Sequence, residues 1–311
     1  MKKLLLGLLA LIVIGGVAYY LTRGAAPEAQ PPAEVPTVPE TSERPETTPP
    51  TVDETERPAP EAEALEPEPV SVIGKSVEGR DITAYHYGTG DTELLFIGGI
   101  HGGYSWNTAL VGYELLDYLE ENPESIPEDL TVTVIPVLNP DGLYKVTGKE
   151  GKFTASDVSG DTIAGRFNAN TVDLNRNFDC AWQEKGVWQS REVSGGSEVF
   201  SEPESQAIRS YIKRAEPDAV VVYYSAAGGV FSSNCYNGVL PETATLTNLY
   251  ADASGYKAYK EFNFYEITGD MVNWLAKERI PAISVLLTNH TDVEWDKNRA
   301  GIEALLEYYG R

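Results

Sequence analysis

Twelve of the chain's 20 prolines fall between residues 24 and 70, where twelve acidic residues stand against only Arg44 and Arg57. Val35, Val38, Val52 and Leu65 are nearly the only large apolar side chains in that stretch. A segment of this composition buries too little surface to offset its chain entropy, so it is expected to be an extended, self-repelling tether with polyproline II character. The acids interrupt any regular PxxP array, which favours a spacer over a recognition site for proline-binding modules. Folding is thereby confined to residues 71–311, enough chain for one domain with a sizeable core.

Ahead of the tether, Lys2 and Lys3 precede an uncharged run from Leu4 to Leu21. At about 1.5 Å per residue the run is just long enough to cross a membrane core, and residues 1–23 are read as a transmembrane anchor. A cleaved signal peptide, with Gly16-Val17-Ala18 as its small-residue site, is the competing reading. The run continues into Tyr19, Tyr20 and Leu21, and tyrosines suit a membrane interface, which favours the anchor. The two lysines then hold the N-terminus in the cytoplasm. The expected localisation is a single-pass cell-membrane protein whose globular domain is extracytoplasmic, periplasmic or on the cell surface. A formal net charge of −23, from 24 Lys and Arg against 47 Asp and Glu, excludes an electrostatic grip on nucleic acid.

Within 71–311, Leu94 to Ile97 is a short apolar run ahead of a glycine-rich turn, and Ala109 to Leu119 has helical spacing with Leu110, Tyr113, Leu116 and Leu119 on one face. Leu130 to Leu138 is β-branched and strand-like, and Ile82 to Tyr87, with His86, reads as an early strand. Ser201 to Arg214 has the signs of a helix start: Ser201 as N-cap, Pro203 in the first turn and Glu204 at the third position. Ala219 to Tyr224 and Ile283 to Leu287 are continuous apolar runs, typical of strands covered on both faces. Asp270 to Lys277 and Asn298 to Tyr309 read as further helices. The pattern is α/β with a buried central sheet, in which chemistry gathers at the strand ends. Cys180 and Cys235 are candidates for one disulfide in an oxidising compartment, two free thiols being the alternative.

Five stretches resemble, in order, the M14 zinc carboxypeptidase family. They are Ile73 to Arg80; Gly98-Gly99-Ile100-His101-Gly102-Gly103-Tyr104; Asn139-Pro140-Asp141-Gly142 leading to Arg166 and Asp173-Leu174-Asn175-Arg176-Asn177-Phe178; Phe200 to Glu204; and Tyr265 to Trp274 followed by Ile280-Pro281-Ala282-Ile283. The resemblance covers nearly all of 71–311. It implies a mixed, mostly parallel central sheet flanked by helices on both faces. It also implies a zinc ion held by two histidines and a glutamate, with an open position for water.

Position by position, the resemblance implies an uneven inheritance. His101 matches the first zinc ligand and Asp173 the carboxylate that orients it. The second and third ligand positions carry Tyr104 and Tyr224, and the general-base position carries Leu286. A phenol of pKa about 10 is a poor zinc ligand at neutral pH, and leucine moves no protons. Only His86 and His290 remain as other histidines; His290 follows the Leu286 strand but has no assigned role, and zinc is expected to be absent or weakly bound. The substrate-holding set persists: Asn175 and Arg176 for a terminal carboxylate, Arg166 for the oxyanion, Tyr265 over the bound end, and Val272 in the side-chain pocket, suggesting an apolar or small terminal residue.

The function implied is a catalytically inactive homologue that binds peptides or cell-wall stem peptides with a free C-terminal carboxylate. Two alternatives stand beside it. One is an active metallocarboxypeptidase with an atypical metal site. The other is a site for a non-zinc metal such as ferric iron built from His101, Tyr104 and Tyr224, against which the tyrosines fill the vacated space and hydrogen-bond one another.

Overall fold

A computed structural model describes residues 68–311. The apolar run 4–21 and nearly all of the proline-rich segment lie outside these residues. Among the described residues no helix is long and apolar enough to cross a membrane.

Among the described residues ten strands form two sheets. Eight belong to the main sheet: β1 Val70–Lys75, β2 Asp81–Gly88, β3 Thr92–Ile97, β4 Leu130–Ile135, β7 Ala219–Ser225, β8 Gly229–Ser232, β9 Lys257–Tyr259 and β10 Ala282–Leu287. Their order is β1-β2-β4-β3-β7-β10-β8-β9. The four central strands, β4, β3, β7 and β10, run parallel, while β1, β2 and β8 join antiparallel to their inner neighbours. A small hairpin of β5 Lys185–Trp188 and β6 Arg191–Ser194 stands apart. The described residues also form six α-helices: α1 Trp106–Glu121, α2 Pro140–Thr147, α3 Pro203–Ala215, α4 Pro241–Ser254, α5 Met271–Lys277 and α6 Trp295–Tyr309. This is the expected α/β fold with a mostly parallel central sheet.

Side-chain parity divides the core. Along β7, Ala219, Val221 and Tyr223 join a cluster with α1, α4 and α6, whereas Val220, Val222 and Tyr224 face the opposite cluster with α3 and α5. Successive residues of a strand point to opposite faces, so a strand covered on both sides must be apolar at every position. Parity also places Tyr224 and Leu286, direct partners in the β7–β10 register, on the α5 side.

Element ends differ from expectation where local chemistry intervenes. β4 stops at Ile135 because Pro136 has no N–H to give the ladder. The helix expected from Ser201 starts at Pro203, with Glu202 at the cap, because Ser201 turns its hydroxyl to Glu202. Helices α2 and α4 are additional. Asn139 caps α2 by accepting from the Gly142 N–H, and α4 starts on Pro241 and ends on left-handed Gly255. His86 sits in β2 between the hydroxyls of Ser71 and Thr133, far along the sheet from the strand ends described below.

Cys180 and Cys235 are joined in a disulfide spanning 55 residues, tying the loop after Arg176 to the segment after β8. Replacing both cysteines by serine is expected to lower the unfolding free energy by about 4 kcal/mol, the loop-entropy value for a loop of this length. The measurement is the unfolding free energy from urea titration, with a steeper slope expected as the unbridged denatured chain expands; an unchanged free energy and slope would show that the bridge does not restrain the unfolded chain.

Candidate functional site

β3 ends at Ile97 and the chain turns through Gly98, where a Cβ would stand 2.5 Å from the Thr108 carbonyl oxygen and 2.6 Å from that of Pro136. Only glycine permits that approach, and the turn delivers His101 beneath the sheet's C-terminal edge. His101 is 4% exposed, and its Nε2–H donates to Asp173 Oδ1 at 3.2 Å. Among the described residues its Nδ1 is buried without a hydrogen-bond partner. Burial, followed by the nearby Arg166 charge, pulls the imidazole down to about 4 against the opposing attraction of Asp173.

Asp173 is wholly buried and joins three partners. Besides His101 it accepts from the Asn175 N–H at 3.1 Å through Oδ1, and from Arg166 Nε at 2.9 Å and Nη2 at 2.8 Å through Oδ2. Burial acts to raise this carboxyl, but Arg166 and then His101 override it and hold it well below the usual carboxylate range. The Arg166 guanidinium lies 4.3 Å from the Trp188 ring centroid and 5.6 Å from that of Tyr104.

Asn175 and Arg176 follow on the short 3₁₀ turn Leu174–Arg176 that Asp173 caps. Arg176 is 1% exposed, and its donors go to backbone carbonyls: Nε and Nη2 to Val187 at 3.2 and 2.8 Å, Nη1 to Asn175 at 2.6 Å. Among the described residues it has no carboxylate at ion-pair distance. Glycines make room for it: a Cβ on Gly186 would stand 2.9 Å from Arg176 Cδ, and one on Gly269, whose φ is +60°, 2.1 Å from the Arg176 carbonyl oxygen. The second contact brings Asp270 beside Asn175, whose Nδ2 donates to Asp270 Oδ2 at 2.8 Å. Asn175 Oδ1 accepts from the Tyr224 hydroxyl and the Met271 N–H, both at 3.1 Å.

His101, Tyr104, Arg166, Asn175, Arg176, Tyr224, Tyr265, Val272 and Leu286 all border one cavity of about 300 Å³, with His290 at its edge. Asp173 lies behind it. Tyr104 packs edge-on against Trp188 at 4.9 Å and beside His290 at 4.4 Å, and burial raises its phenol. Tyr224 is pushed well above its ordinary pKa by burial and then by the charge of Asp270. Sequence reasoning took Asp270 only as a helix start, and Asp270 does cap α5 by accepting from Asn273 N–H. Its second role as a cavity carboxylate had no local signal, because it depends on Gly269 meeting Arg176. Phe231, Phe262 and Phe264 form an aromatic wall that was likewise not anticipated.

The family profile described as zinc carboxypeptidase matches residues 61–287. Bacteriocin BCN5 of Clostridium perfringens is 34% identical over 146 residues, 46% of this chain and 15% of that protein. The carboxypeptidase N catalytic chain of Homo sapiens is 25% identical over 184 residues, 54% of this chain and 37% of that one. The chain thus spans well under two thirds of the length of these curated relatives. Among solved structures, the murein-tripeptide amidase MpaA from Escherichia coli O157 superposes with a TM-score of 0.55 at 19% identity, covering 78% of this chain and 93% of the other. Bovine thrombin-activatable fibrinolysis inhibitor gives a TM-score of 0.60 at 18% identity, covering 78% and 89%. At these identities the superpositions speak to the fold.

Two outcomes follow from the Asp173 cluster. Asp173→Ala leaves the Arg166 charge buried without its partner and is expected to cost about 3–5 kcal/mol in chemical denaturation, whereas an exposed pair such as Lys185–Glu192 is expected to cost under about 1 kcal/mol. His101 has a folded-state pKa below its unfolded value of 6.5, so its contribution to stability is complete above pH 6.5 and lost as pH falls toward about 4. Denaturation midpoints across that window are expected to fall more steeply in the parent than in His101→Gln, which keeps only the smaller share from His86 and His290, both also lowered by burial.

Proposed function

Because the chain belongs to the zinc carboxypeptidase family, we propose that it is a catalytically silent member that holds a peptide end in this cavity without cutting it. The observation that carries the reading is the register pair at the ends of β7 and β10. Leu286 borders the cavity where the resemblance requires a proton carrier, and Tyr224 beside it gives its hydroxyl to Asn175. A leucine has no group that accepts or delivers a proton.

The donor set does not fit zinc. A zinc site takes histidine nitrogen, thiolate or carboxylate oxygen from at least three side chains. His101 Nδ1 has a free lone pair suited to a metal, but Tyr104 and Tyr224 carry phenols whose deprotonation burial opposes. The same raised pKa weighs against a phenolate site for ferric iron. Among the described residues the partnerless Nδ1 atoms of His101 and His290, both at this cavity, favour the alternative of an active enzyme with an atypical metal.

The holding groups support a binding role. Arg166 is fixed by Asp173 and stacked on Trp188, and Arg176 is a buried cation that presents to the cavity with no ion-pair partner among the described residues. Either can meet the terminal oxygen atoms of a peptide. Val272 and the aromatic wall would face its last side chain. Cell-wall stem peptides are a candidate ligand, since one structural relative is a murein-tripeptide amidase. A membrane anchor at 4–21 and an extracytoplasmic domain complete the proposal; the disulfide, a bond of oxidising compartments, is consistent with that side.

Purified full-length protein is expected to hold well under one zinc per chain by mass spectrometry and to leave a panel of peptides uncut. The triple substitution Tyr104→Glu, Tyr224→His and Leu286→Glu is expected to gain stoichiometric zinc. Bound zinc with chelator-sensitive cleavage in the parent would favour the active alternative instead.

A further inference from the structure

The Asn175 amide, which the resemblance reserves for a ligand's terminal carboxylate, is already donated to Asp270 Oδ2 at 2.8 Å. It is not free to turn away. Its Oδ1 accepts from Tyr224 and from the Met271 N–H, and a flipped carboxamide would set its own N–H groups against the backbone donor. Asp270 is fixed as firmly: its Oδ1 caps α5 through Asn273 N–H, and Gly269 packs against the Arg176 backbone. Asp270 as a residue is 7% exposed and borders the cavity.

Charge balance points the same way. Arg166 and Asp173 form an ion pair. Arg176 and Asp270 are the remaining charges at the cavity, each without an ion-pair partner among the described residues, and together they sum to zero. A ligand carboxylate brought to Asn175 would lie against Asp270 and leave an excess negative charge in a largely buried space, which is costly. A primary carboxamide meets no such cost. Its NH₂ donates to Asp270, and its carbonyl accepts from Arg176, of whose five N–H groups three are bonded to backbone and one on each terminal nitrogen remains.

Granting that the cavity holds a peptide end, we propose that Asp270 takes the place of the ligand's carboxylate, so that the site selects a neutral carboxamide end over a free acid. Asp270 is thus the specificity-determining residue of the cavity. Selectivity arises from the repulsive element as much as from the attractive one.

The test is isothermal titration of the full-length chain with acetyl-alanyl-alanyl-phenylalanine as the carboxamide and as the free acid, whose aromatic side chain suits the Phe231, Phe262 and Phe264 wall. The carboxamide is expected to bind about tenfold more tightly, the usual scale for one charge-assisted hydrogen bond. Asp270→Asn keeps the cap on α5 but leaves Arg176 unbalanced, and its preference is expected to reverse toward the acid. Asp270→Ser, also a good cap, serves if the asparagine variant does not fold. A parent that binds the acid as tightly as the amide, or variants that keep the parent's preference, would overturn the role of Asp270 while leaving peptide binding intact. Failure of the parent and the variants to bind either form would overturn the peptide-binding reading itself.

Discussion

The site depends on one buried carboxylate. Asp173 has no contact with solvent, yet it gathers the imidazole of His101, the guanidinium of Arg166 and the N–H of Asn175, groups carried by three separate parts of the chain. An ion in such a place is tolerable only when its lone pairs are filled and an opposite charge is adjacent. Asp173 meets both conditions. The arrangement fixes the His101 tautomer, immobilises Arg166 on Trp188 and caps the turn that presents Asn175 and Arg176.

Around this centre the backbone is as constrained as the side chains. Arg176 fits because Gly186 and Gly269 leave no Cβ in its path, and the approach at Gly269 carries Asp270 to Asn175. A cation with its donors turned to carbonyls and an acid with its oxygens turned to amides then face one cavity. The electrostatic character of the cavity is therefore a property of packing. It is opposite in kind to the surface charge implied by the chain's formal −23, which solvent and salt screen.

Much of this was legible in the sequence. The continuous apolar runs Ala219 to Tyr224 and Ile283 to Leu287 announced strands covered on both faces, and the order of motifs from His101 to Trp274 announced the family. Tyr104, Tyr224 and Leu286 were singled out from their flanking residues, and the structure brings all three to one cavity. Less legible were α2 and α4, whose apolar spacing is weak and whose starts are set by Asn139 and Pro241. The Ser201 cap was misplaced because a hydroxyl that suits a helix start also suits a neighbouring carboxylate, and Glu202 took it.

By itself the sequence determined the fold class, the family and the identity of the residues at the strand ends, because hydrophobic period and motif order are local, one-dimensional properties. Tertiary structure alone decided how those residues are engaged. Asn175 is spoken for by Asp270, Tyr224 is turned to Asn175, and Arg176 is left without a carboxylate partner among the described residues. Hydrogen-bond pairing and charge balance in a buried space depend on distances between residues as far apart as 175 and 270, and no local pattern encodes them.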